Sequence, residues 1–174
     1  KAINSDISEM EEMIDGYLTF AAGEGDETPQ MLAVDDLLNR LVTQAQKSHK
    51  FDITLSPVKD EIPAFPMRRN AIQRAFSNII SNAIRYSTKT IVAIHMRNDE
   101  MIITFDDNGA GIPQERRADA IRPFIRLEES RNRRTGGTGL GLSITSDVIL
   151  SHGGELTLGD SSLGGLRVAI KLPV

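Results

Sequence analysis

The chain has 174 residues, 40% of them hydrophobic and 25% charged, with a formal net charge of −4. That composition fits a soluble globular domain large enough for a sizeable core, and an acidic balance gives no reason to expect a nucleic-acid partner. There is no cysteine, so disulfides and thiolate metal sites are excluded. No run reaches the length of a membrane span and no signal peptide opens the chain, so this stretch is expected to make no direct membrane contact. Beginning on Lys1 rather than Met, it is expected to be a fragment of a longer protein.

Residues 1–22 place Ile3, Ile7, Met10, Ile14, Tyr17 and Ala21 in alternating steps of four and three. This is the 3.5-residue seam of a coiled coil or antiparallel bundle, with an acidic opposite face. "GEGDETPQ" (Gly23–Gln30) reads as a linker, and a globular domain is expected over 31–174. "MLAV" reads as a short strand, and Asp35 can cap a helix "DLLNRLVTQAQKSH". "FDITLS" alternates as a strand, prolines 57, 63 and 66 punctuate the next stretch, and a short strand is expected near Ala64–Met67. A long helix is expected from Arg69 to Tyr86. "TIVAIHM" and "MIITFDD" read as a hairpin, residues 139–152 as a helix stopped by Gly153-Gly154, and "ELTLGD" and "LRVAIKLP" as a second hairpin around "SSLGG". No internal repeat is present.

Four stretches carry candidate chemistry. In the helix "NAIQRAFSNIISNAIRYS", Ile72, Phe76, Ile79, Ile80 and Ala83 form an apolar face, while Asn78, Ser81, Asn82 and Arg85 fall elsewhere. Asn78 and Asn82 are neighbours on one surface. Their amides could ligate Mg2+ or donate to phosphate; they could equally form a polar face turned to solvent. In "DDNGAGIP" an alternating strand ends on Asp106 and Asp107 before two spaced glycines. The acid could bind a metal, hold a ligand's amino group or start a turn. In "RTGGTGLGLSI" four glycines precede or open a helix, which presents free N–H groups and a positive dipole end to phosphate; a flexible loop with a helix cap is the alternative. Between them, "ERRADAIRPFIRLEESRNRR" holds seven arginines against four acids, anchored by Phe124 and Ile125. It reads as a mobile lid with phosphate-contacting arginines, or as a solvated loop.

In this order the motifs resemble those of the sensor histidine kinases. "NIISNAIRYS" is similar to the N box, "DDNGAGIP" to the G1 box, "RPFIR" to the F box and "GGTGLGLSI" to the G2 box. The resemblance spans about 31–174, and residues 1–22 resemble the second helix of the family's dimerisation hairpin. "IDGYLTF" with its acidic linker is similar to the osmosensing (EnvZ-type) branch.

The resemblance implies an α+β fold, a two-layer sandwich of the Bergerat or GHKL type with helices on one face of a mixed sheet. It implies ATP and Mg2+ as cofactors, a homodimer through the hairpin, a response regulator as partner and a cytoplasmic location. Asp107 would accept the adenine amino hydrogen, while Asp106 faces the strand end or solvent. Gly109, Gly111 and Ile112 would turn the chain beneath the nucleotide. Asn82 would hold Mg2+ with Asn78 beside it, the pair forming the catalytic set. Arg85 would reach phosphate and Tyr86 would lie against the base. Gly137, Thr138, Gly139, Leu140 and Gly141 would close over the triphosphate as the lid's C-terminal hinge, and Arg126, Leu127 and Leu142 would also bind the nucleotide.

One feature departs from the family. Its phosphoacceptor histidine precedes an acid and "LR", whereas His49, His95 and His152 stand in "SHKF", "IHMR" and "SHGG". The acceptor is therefore expected outside this chain. Two rival readings are an ATPase clamp of the same superfamily, which places a glutamate base where Asn78 stands, and a degenerate nucleotide-binding module used only for interaction.

Overall fold

The computed structural model describes residues 27–58, 61–125 and 139–174. The seam of 1–22, the head of the linker, and the segment 126–138 with Arg126, Leu127, Gly137 and Thr138 lie outside the described residues.

The elements are β1 (Gln30–Leu32), α1 (Val34–His49), β2 (Asp52–Leu55), β3 (Phe65–Met67), α2 (Arg69–Tyr86), β4 (Lys89–Arg97) and β5 (Glu100–Asp107), then a 3-10 turn (Gln114–Arg116), α3 (Arg117–Ala120), α4 (Gly141–Ser151), β6 (Glu155–Asp160) and β7 (Leu166–Pro173). Five strands form one mixed sheet in the order β2-β4-β5-β7-β6. β2 runs parallel to β4, and the other neighbours are antiparallel. β1 and β3 form a separate two-stranded ribbon, where Pro66 costs no central ladder bond.

Alternation along the strands decides which face is covered. Val92 and Ile94 of β4, Met101, Ile103 and Phe105 of β5, and Val168, Ile170 and Leu172 of β7 are buried on the inner face. Against them pack α1 through Leu37, Leu38 and Val42, α2 through Ile72, Phe76 and Ile79, and α4 through Ile144, Val148 and Ile149. The outer face carries Ile91, Ala93, Ile102, Thr104 and Ala169, all half-buried, and the exposed His95 and Lys171. This is the two-layer α+β arrangement expected from the motifs. The β4–β5 hairpin closes on Asn98 and Asp99, both at positive φ (49° and 61°), as a two-residue type I′ turn requires.

Three local expectations need correction. Asp35 does not cap α1: the helix starts at Val34, Ala33 precedes it without a side-chain cap, and Asp35 lies in the first turn with Asp36. There it still complements the positive helix end. Phe124 does not anchor its segment. It is 59% exposed at positive φ; among the described residues of the segment, Ala120 is buried and Ile121 packs against the core. Asp106 does not face solvent; it is buried beneath Arg167.

Candidate nucleotide site

The site lies where β5 ends beside the middle of α2. Phe105 points into the core, so Asp106 turns to the outer face and Asp107 returns to the inner one. Opposite Asp106 on β7 is Arg167. Its guanidinium donates from Nε to Oδ1 at 2.8 Å and from Nη2 to Oδ2 at 3.1 Å, covering a carboxylate that is only 6% exposed. Both oxygens are thereby engaged, and this forked pair explains the burial.

Asp107 is held differently. Its Oδ1 accepts the backbone N–H of Gly109 at 2.8 Å and of Leu166 at 3.0 Å. Its carbonyl accepts Gly165 N–H at 3.1 Å. Oδ2 receives no hydrogen bond from the described residues and is left to the slot that Asp107 lines. The bracing requires close backbone approach. A Cβ on Gly109 would run into the Tyr86 carbonyl, and one on Gly165 would collide with Asp107 Oδ1 and Gly109 N. Downstream, Arg117 steadies the turn by donating to the Ile112 carbonyl at 2.9 Å and pairing with Asp160.

The slot runs between the helix layer and the sheet. Ile79 and Ala83 of α2 and Leu142 of α4 form one wall; Phe105, Leu166 and Val168 form the other. Its polar groups are Asn82, Thr90 and Asp107. An apolar cleft with a few convergent polar groups suits a flat, hydrogen-bonding ligand.

Asn78 and Asn82 face the start of α4. Asn78 Nδ2 donates to the Gly141 carbonyl at 3.3 Å, so it ties the two helices together. Asn82 makes no hydrogen bond to the described residues, and its amide atoms would stand 3.7 Å and 3.9 Å from a Cβ on Gly141. Gly139 (φ 70°) precedes Leu140, which is buried in the core, and Gly141 opens the helix.

Of the residues singled out from sequence, the structure brings Asn82, Asp107 and Leu142 into the slot lining. Asn78, Gly109 and Gly141 stand directly behind them. Arg85 and Tyr86 are exposed at the end of α2 and are not part of the lining. Gly111 and Ile112 follow in the turn. Sequence reasoning missed Thr90 and Gly165. The tandem Gly164-Gly165 was the available signal for the latter, read only as a hairpin turn.

Among the described residues no three His, Asp or Glu side chains gather as a metal cluster. Asn82 does fit a hard cation held jointly with a ligand's phosphates, because its neutral oxygen has no competing partner among the described residues. His152 is engaged at both ring nitrogens: Nδ1 is 2.7 Å from the Val148 carbonyl and Nε2 accepts Arg68 N–H at 3.1 Å.

Residues 67–174 match the family of Histidine kinase-, DNA gyrase B-, and HSP90-like ATPases, and the chain belongs to that family. Within it, the similarity runs to sensor histidine kinases. The chain is 47% identical to Sensor histidine kinase CpxA of Escherichia coli (strain K12) over 106 residues, which is 60% of this chain and 23% of CpxA. It is 33% identical to Sensor protein RstB of the same strain, over all of this chain and 41% of RstB. Among solved structures, the ATP binding domain of PrrB from Mycobacterium tuberculosis superposes with a TM-score of 0.67 at 26% identity, covering 85% of this chain and 98% of that one. The chain thus spans less than half the length of these curated relatives. None of the described helices is long and apolar enough to cross a membrane.

Proposed function

We propose that this chain is the ATP-binding catalytic part of a two-component sensor histidine kinase, which passes the γ-phosphate of ATP to a histidine outside residues 1–174 and from there to an aspartate of a response regulator. The observation that carries the reading is the pairing, on one apolar slot, of Asp107, with one carboxylate oxygen braced, and Asn82, the other Asp107 oxygen and the Asn82 amide having no hydrogen-bond partner among the described residues. Adenine enters between the two walls and donates its amino hydrogen to Asp107. The phosphates extend past Asn82 toward the N-terminus of α4, whose first N–H groups favour anions. Asn82 would hold Mg2+, which would supply neutralisation of phosphate charge there. Phosphoryl transfer is chiefly positioning and charge stabilisation, so the remaining work falls to the turn at Gly109 and Gly111 and to segment 115–134, proposed as a lid with its C-terminal hinge at 137–141. Residues 1–22 are proposed to supply half of a dimerisation hairpin, and the domain to work on the cytoplasmic side.

Transfer is favoured over ATP hydrolysis by one observation. Asn78, where a clamp ATPase needs a carboxylate base, is an amide already bonded to Gly141, and water without a base is poorly activated. The deciding experiment is calorimetric titration with ATP and Mg2+, followed by incubation with γ-labelled ATP and an added hairpin that carries the acceptor histidine. Acid-labile label on the hairpin, with slow release of inorganic phosphate, is expected. Label on the chain alone, or brisk hydrolysis, would defeat the reading.

A further inference from the structure

We propose that the Thr90 hydroxyl is a second group that reads the base in this slot, working beside Asp107; the inference rests on the nucleotide-binding reading of the site. Thr90 is fully buried, and its Oγ1 has no hydrogen-bond partner among the described residues. Buried hydroxyls are nearly always partnered. One that lines a ligand slot and has no partner among the described residues is available to a partner that arrives from outside.

Its position in the sheet indicates which part of a ligand it meets. Thr90 is the cross-strand partner of Asp107. The bond from Asn108 N–H to the Lys89 carbonyl, 3.1 Å, flanks that pair. This makes it a non-hydrogen-bonded pair, the kind whose side chains stand closest, with Cβ atoms about 4.5–5.5 Å apart. On β4 the same face continues with Val92 and Ile94, so a branched apolar residue would satisfy packing at position 90. The hydroxyl adds a polar function at the one place on this strand that faces Asp107.

Two adjacent groups now meet two adjacent atoms of a purine. The open oxygen of Asp107 accepts a hydrogen from the 6-amino group. Next to that amino group on adenine is N1, an acceptor. The Thr90 hydroxyl can donate to it, directly or through one bridging water. Guanine presents the reverse order, an oxygen at position 6 and N–H at position 1, and sets its oxygen against the carboxylate. The slot therefore tests adenine at two positions.

Thr90→Val keeps the branched shape and removes only the hydroxyl, so the variant is expected to melt no lower than the parent chain. Its Kd for ATP should rise roughly three- to tenfold, the range that one net hydrogen bond gives. Thr90→Ser should restore ATP affinity. For 1-deaza-ATP, which lacks the N1 acceptor, the parent chain and Thr90→Val should bind equally. Unchanged ATP affinity in Thr90→Val, or an equal loss for both nucleotides, would overturn the role of Thr90 while leaving nucleotide binding intact. Failure of the parent chain to bind ATP would instead strike the reading on which the inference rests.

Discussion

Asp106 and Asp107 are consecutive, and the sheet sends them to opposite faces with opposite outcomes. On the outer face, Arg167 engages both oxygens of Asp106. On the inner face, backbone N–H groups engage one oxygen of Asp107, leaving the other to the slot. A carboxylate whose acceptors are all used belongs to the framework. One that is rigidly held yet half satisfied is prepared for a ligand, because its orientation is fixed before the ligand arrives. The same contrast separates Asn78, bonded across to α4, from Asn82, which is bonded to nothing described.

The contrast can be broken most severely at its support. Gly165→Ala pushes a methyl group into Asp107 Oδ1 and Gly109 N. We expect a loss of about 1–3 kcal/mol in denaturant unfolding, and loss of nucleotide binding in calorimetry because Asp107 must move. Asp107→Asn can keep the braced oxygen and replaces the open one with a donor. ATP affinity should fall roughly ten- to a hundredfold, with little change in melting temperature; unchanged affinity would remove Asp107 from the base site. Asp106→Asn should do the converse, costing about 1–2 kcal/mol of stability through the weakened fork to Arg167 and sparing ATP affinity. Asn82→Ala sharpens the amide comparison: a several-fold affinity loss with Mg2+ and little in chelator marks a metal role, whereas equal losses mark packing. The smallest effect concerns Glu27. Its carboxylate accepts Asn70 N–H at 2.8 Å and Ala71 N–H at 3.2 Å, capping α2, whose own N-cap Arg68 offers no side-chain cap. Glu27→Ala should lower stability by about 1 kcal/mol without affecting ATP affinity.

These variants also mark what the sequence could tell. Periodicity located α2 with the observed ends, Arg69 and Tyr86, because its apolar positions repeat within the segment itself. Both hairpins were legible for the same reason. Asn82 and Asp107 stood out because an amide pair in mid-helix and an acid before spaced glycines are local anomalies. What stayed hidden depends on distant partners. Glu27 caps a residue 43 positions away, Leu166 braces Asp107 across 59, and Arg167 covers Asp106 across 61. None leaves a mark in a short window. Thr90 was hidden differently: a threonine in an alternating strand looks like ordinary β-propensity, and only the lack of a partner among the described residues sets it apart.

The hairpin loop Ser161–Gly165 joins the last two strands and has the small, polar composition that usually marks a site for an affinity tag, a dye or a permuted terminus. Here that choice would dismantle the nucleotide slot, since Gly165 and Leu166 hold Asp107 in place. The Asn98–Asp99 turn, at the other end of β5 from Asp107, is the better attachment point. A fluorophore placed there reports on the domain without touching what it binds.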